Sequence, residues 1–268
     1  MACSVAGILS PFAIGILQMG LRLSFQASLA FSVAAVVLGL AAIYPIVFSE
    51  VSTLRRWASL AFVGGLAVAS SFFTYAMAEV IRAQENGLLR NNFNQVLLAV
   101  HQYHDLHGHF PTDIVDENGT PILSWRVAIL PYLLEGDLHR QFHLHEPWNS
   151  EHNRRVISAL PRVFRHPGAD VDTGNCVIER VFGSGNFKSL TDRVRFKDLR
   201  RNASDTLFLL EVHSSAARPW TQPGGFDLSH PDAVGQLPIG QGFAGMADGS
   251  TDRFSREEIV QTFGGPTN

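Results

Sequence analysis

Apolar residues in the first third of the chain come in runs too long for a strand or an ordinary core helix. Ala2 to Leu21 and Ser28 to Phe48 carry no charged residue, and Trp57 to Val80 carries one ionisable residue, Glu79. Each run approaches or exceeds the ~20 residues that a helix needs to cross ~30 Å of hydrocarbon, so the pattern predicts three membrane spans. A cleaved signal peptide is the other reading of the first run. It is disfavoured because that run begins without Lys or Arg and a second apolar run follows closely. Past Glu79 no proline appears until Pro111, and Gly87 is the one glycine before Gly108, so the third span is expected to continue as helix. Along that continuation Leu88, Leu89, Phe93, Val96, Leu97, Val100, Tyr103 and Leu106 recur at steps of three and four, which makes one apolar face. Such a face requires a folded body to cover it.

Downstream the pattern changes. A turn-rich stretch from Thr112 to Gly119 leads to Ser124, placed to cap a helix with Val127, Leu130 and Leu134 along one side and a break expected at Pro131. Asn149 to Leu160, closed by Pro161, is a second short helical candidate. Cys176 to Phe182 and Thr206 to Val212 are β-rich runs, and Gly242 to Ala247 precedes an Asp248-Gly249 turn. Strands grouped after helices, without βαβ alternation, predict an α+β head on a small antiparallel sheet. The expected organisation is a membrane module over 1–56, a third span continuous with an amphipathic helix over 57–110, and a head over 111–268.

Charge sharpens this division. Before Arg82 the Asp, Glu, Lys and Arg residues are Arg22, Glu50, Arg55, Arg56 and Glu79. Arg55 and Arg56 would hold the loop before the third span in the cytoplasm, giving a multi-pass protein of the inner membrane with its head outside. The net charge of −3, without a basic stripe, argues against nucleic acid as a partner. Two cysteines, Cys3 and Cys176, lie in different regions and form no disulfide framework.

The segments Asn91-Asn92-Phe-Asn-Gln95, His101-Gln-Tyr103-His104-Asp105, Phe110-Pro111, Leu123-Ser-Trp125-Arg-Val127, Leu130-Pro-Tyr-Leu133, Gln141-Phe142, Glu146-Pro-Trp148, His152-Asn153, Pro219-Trp220-Thr221 and Ala247-Asp248-Gly249-Ser250 occur in the order seen in a planctomycete family, domain of unknown function 1559. The chain resembles that family over roughly residues 82 to 255. The resemblance implies a type II secretion pseudopilin-like architecture, in which a hydrophobic helix continues into an α+β head. Three departures stand out. No prepilin-peptidase motif precedes the third apolar run. Leu89-Arg90 and His166-Pro167 stand where the family commonly has cysteines, so its disulfide is expected to be missing. Pro238 stands where its histidine usually precedes Asp-Gly.

Candidate chemistry centres on histidine, with nine of eleven between residues 101 and 166. His101 and His104 at i, i+3, and His139 and His143 at i, i+4, would share helical faces, as helical metal ligands do. The cluster His101, His104, His107 and His109 is therefore the alternative metal site, against a structural or surface role. Gly183-Ser-Gly185 has neither the context of a nucleophile elbow nor the Lys-Ser/Thr of a phosphate loop and reads as a turn. Asp113, Asp116 and Glu117 beside Asn118 and Gly119 lack a calcium-loop pattern and read as a solvated turn. Trp125, Trp148 and Trp220 are expected in the core. No cofactor is expected. The reading is a non-catalytic structural or interaction protein whose partners are the lipid bilayer, sister copies or pilin-like secretion components. The alternative is a metal- or ligand-binding sensor using His101 to His109.

Overall fold

The computed structural model describes residues 53–167, 174–183, 186–230 and 235–263. Helix α1 spans Thr53–His107 and stops where Gly108 takes φ +76° and donates its N–H to the carbonyl of His104 at 2.7 Å. Two compact units divide the chain after Gln84.

In the first unit, the expected span from Trp57 to Val80 is corrected. Among the described residues no helix is long and apolar enough to cross a membrane. Gly64, Gly65, Ser70, Ser71 and Thr74 lie within the apolar run and Glu79 stands near its end. The Thr74 hydroxyl donates back to the carbonyl of Ser70 at 2.9 Å, which lets a hydroxyl sit in a helix at little cost. The two earlier expected spans, Ala2 to Leu21 and Ser28 to Phe48, lie outside the described residues.

The second unit is an α+β body. A short hairpin of β1 (Ile114–Val115) and β2 (Pro121–Leu123) follows α1. Next come α2 (Trp125–Ala128), a 3-10 turn at Leu130–Leu133 with Pro131 in its first turn, α3 (Gly136–His139) and α4 (Glu151–Arg154). Ser124 caps α2 by accepting from the Arg126 N–H, as its position requires. The helix expected over Asn149 to Leu160 shrinks to α4, which Ser150 caps, because successive tight turns replace it up to Ala159.

β3 (Asn175–Cys176) pairs with β6 (Arg218–Pro219). The main sheet has the order β7 (Phe226–Asp227), β4 (Ile178–Phe182), β5 (Leu207–Glu211), β8 (Gln241–Met246), β9 (Thr251–Ser255), and α5 (Arg256–Phe263) follows it. The sheet is mixed, not antiparallel throughout as expected: β7 runs parallel to β4, with Val181 opposite Phe226. A parallel partner needs a long crossover, here the whole excursion through β5 and β6, and no local pattern announces it. Gly183-Ser-Gly185 lies partly outside the described residues.

Strands β4, β5 and β8 are buried on both faces, while the edge strand β9 is partly exposed. On one face, α1 lays Leu89, Phe93, Val96, Leu97 and Val100 against Ile178, Phe208, Leu209 and Phe243. On the other, Val177, Val181, Leu207, Leu210, Phe226, Ala244 and Met246 pack with Ile259 of α5. Phe208 and Leu209 are consecutive yet join the same core, because the pairing of β5 with β8 slips between Leu207 and Leu209. Leu88 and Leu106, expected on the sticky face, are 48% and 74% exposed. The buried stripe is narrower than the periodicity suggested, and Leu88 is turned ~100° from Leu89 around the helix.

Helix and sheet meet closely at Gly245, where an added methyl group would lie 2.9 Å from Leu97 Cδ1 and 3.3 Å from Leu209 Cβ. Gly245→Ala should therefore destabilise the protein by about 1–3 kcal/mol through overpacking. Pairing it with Leu97→Ala should recover part of that loss. Denaturant midpoints of the two single variants and the double variant test this, and strict additivity would refute the close contact.

Candidate functional site

The helix end and the β8–β9 turn form one seam. His101 Nε2 lies 2.9 Å from the carbonyl oxygen of Ala247, so that nitrogen carries the proton and donates. Gly249 packs over the same ring, where a methyl group would sit 3.2 Å from an imidazole carbon. It also holds φ +93°, which a side chain would strain. Asp248 closes the turn by accepting from the backbone and hydroxyl of Ser250. His104 lies against Phe110 and Phe196, with Nε2 accepting from the Phe196 N–H at 3.4 Å. Burial holds its imidazole below the ordinary value, which suits a ring nitrogen acting as acceptor.

The remaining motif residues are also spent on packing. Tyr103 stacks on His107 and meets His109 and Tyr132 edge-on, and burial pushes its phenol up. His107 Nε2 reaches the Tyr132 hydroxyl at 3.0 Å, and His109 Nδ1 the carbonyl of Phe110 at 2.8 Å. The four histidines of the expected cluster thus point to four different partners. Pro111 is buried, Asn91 is exposed, and the Asn92 amide donates to the carbonyl of Arg165 at 3.1 Å. That bond joins the two segments in which the family resemblance placed cysteines. His166 itself lies 3.1 Å from Glu211. Trp125 and Trp220 are fully buried and Trp148 partly so, with the Trp220 indole donating to the carbonyl of Ile157 at 2.8 Å.

A second histidine group occupies the loop between α3 and α4. His139 ends α3, so His139 and His143 do not share a helical face. His143 Nδ1 lies 2.9 Å from Glu146 Oε1, and His145 Nε2 lies 4.0 Å from the same oxygen. Among the described residues, the potential metal-ligand group of three or more is His143, His145 and Glu146, with ligand atoms all within 4.8 Å. The His143 hydrogen bond holds the Glu146 carboxyl below the usual range. Asn153, fully buried, organises the loop. Its Oδ1 accepts from the His143 N–H, and its Nδ2 faces the carbonyls of His143, Glu146 and Pro147 at 3.0–3.2 Å. The sequence carried a signal for this group in His143-Leu-His145-Glu146, but no local rule assigns Asn153 as its support.

A buried ionic layer lies beneath. Arg126 is fully buried, donates to the carbonyl of Ile178 and to Ser124 Oγ, and lies 2.8 Å from Glu179. Arg218 approaches the other Glu179 oxygen at 3.3 Å. Arg180 points to the carbonyl of Leu190 and over the rings of Phe187 and Phe208, and burial brings it down to about 10. Cys176 lies in the same layer, free and buried, its thiol pushed up by desolvation and thus poorly nucleophilic. Asp113, expected in a solvated turn, is 2% exposed and accepts from the N–H groups of Trp125 and Gly224. Asp116 alone closes the turn, accepting from Asn118 and Thr120.

Burial raises the Asp113 carboxyl from 3.8 to about 6 against the pull of those donors and of Arg180. The folded state therefore prefers the protonated form, and its stabilising contribution is complete below the unfolded value and lost as pH rises through about 6. Relative to Asp113→Asn, the natural protein should lose up to ~3 kcal/mol between about pH 4 and about pH 7. Urea unfolding of both across that range checks this, and a difference independent of pH would refute it.

Residues 90–251, more than half of the chain, match the family model described as Protein of unknown function (DUF1559). No curated protein and no solved structure matches the chain. The asparagine pair, the seam from His101 to Gly249 and the three tryptophans all fall within the matched residues, and the chain belongs to the DUF1559 family.

Proposed function

We propose that the protein works by association and not by turnover, as a pseudopilin-like structural or interaction protein. The observation that carries this reading is the exposure of large apolar side chains along α1: Phe62, Val68, Phe72, Phe73 and Val80 are 59–72% exposed. Soluble chains rarely leave so many large apolar groups uncovered in one element unless something binds there. A helix from Thr53 to His107 that enters an α+β body supports the pseudopilin-like form. The occupant proposed is a second copy of the chain, because a small-residue step at Gly64 and Gly65, where an added methyl group meets nothing within 4 Å, admits a neighbouring helix closely. Pilin-like secretion components are the other partners that such a helix suits. Commitment of the motif histidines and tryptophans to packing, and the desolvated Cys176 thiol, agree with a role without turnover.

A photoreactive residue at Leu88, which is 48% exposed, should capture a second copy of the chain in cells. Replacing Gly64 and Gly65 by Leu should reduce that capture several-fold without changing helix content. Only uncrosslinked monomer at Leu88, Leu98 and Leu106 alike would overturn the reading.

A further inference from the structure

The geometry points to a zinc site in the loop between α3 and α4, formed by His143 Nδ1, His145 Nε2 and Glu146 Oε1, independent of the helix-end histidines and of the associative reading. Two imidazoles and a carboxylate are a donor set suited to Zn²⁺, and three protein ligands leave one tetrahedral position for water. Tetrahedral bonds of ~2.0–2.2 Å set ligand atoms roughly 3.3–3.5 Å apart. The distances to Glu146 Oε1, 2.9 Å from His143 and 4.0 Å from His145, bracket that separation. Closing the site requires His145, whose side chain is 83% exposed and whose ring lies 5.7 Å from His143 with 11° between the planes, to turn inward until both rings face one ion.

Preorganisation distinguishes this loop from a chance surface cluster. Asn153, with no exposed surface, ties the backbone on both sides of the ligands, accepting at His143 and facing the carbonyls of His143, Glu146 and Pro147. The Glu146 N–H also donates to the carbonyl of His143 at 3.0 Å, which folds the ligand-bearing turn upon itself. His152 lies parallel behind His143, with centroids 3.5 Å apart and planes 3° apart, and its Nε2 faces the carbonyl of Gln141 at 2.8 Å. His152 Nε2 is already engaged by that carbonyl, so the stacked ring fixes the orientation of His143 without joining the ligand set. The ion takes the place of the proton shared by His143 Nδ1 and Glu146 Oε1, and the neutral ring then carries its hydrogen on Nε2.

The test is titration of the full chain with Zn²⁺ against a chromophoric chelator. One ion should bind per chain, with a dissociation constant of about micromolar or tighter. His145→Gln and Glu146→Gln should each weaken binding at least about ten-fold, with unchanged circular dichroism, since neither side chain is buried in the core. A His107→Gln, His109→Gln double variant should bind as the natural chain does. Absence of a stoichiometric site, or binding that survives His145→Gln, overturns the inference. Loss of binding in the His107, His109 variant instead would place the ion at the helix end and overturn it equally.

Discussion

The close approach of α1 to the sheet at Gly245 is the constraint on which the second unit depends. Leu97 occupies the space that a side chain at 245 would need, so Phe93 and Val96 above it and Val100 below it reach the strands without a gap. Well-packed interiors tolerate little change in such separations. The slipped register between β5 and β8 follows the same logic. It lets both Phe208 and Leu209 join the core that includes α1.

Seating the helix determines where its histidines stand. Once Val100 is fixed in the core, His101 is carried to the β8–β9 turn and His104 to Phe110 and Phe196. Their ring nitrogens then pair with the part-buried Ala247 carbonyl and Phe196 N–H. The ionic layer borders the same core, with Arg126 over the Trp125 ring and Arg180 over Phe187 and Phe208. Arg126 links α2 to β4 through Ile178 and Glu179, at the price of desolvating two charges. Such a layer favours one arrangement of strand and helix, because a shift of register would strand a charge in the core.

The loop bearing His143 is built differently, from one amide. Asn153 substitutes for regular structure in a segment with almost none, its Oδ1 accepting one backbone N–H and its Nδ2 sharing two hydrogens among three facing carbonyls. Its effect is to hold two imidazoles and a carboxylate on one side of an otherwise irregular connection.

Local patterns by themselves determined the course of α1 up to the glycine at 108, the cap at Ser124, the strands that follow Cys176 and Thr206, the Asp248-Gly249 turn and the family. These depend on neighbours within a few positions, where periodicity, caps and turn residues act. Apolar length, also a local quantity, misled at Trp57 to Val80, where no described helix is long and apolar enough to cross a membrane. Only the tertiary structure decided the parallel pairing of β7, the burial of Asp113, the four separate directions of His101, His104, His107 and His109, and the gathering of His143, His145 and Glu146. Most rest on contacts between distant parts of the chain, such as His101 with Ala247 at a separation of 146 residues, while the His143 group rests on its local turn and on Asn153 ten residues away. A side chain's spacing tells which face it shares, but its partner is chosen by whatever the packed core brings within reach.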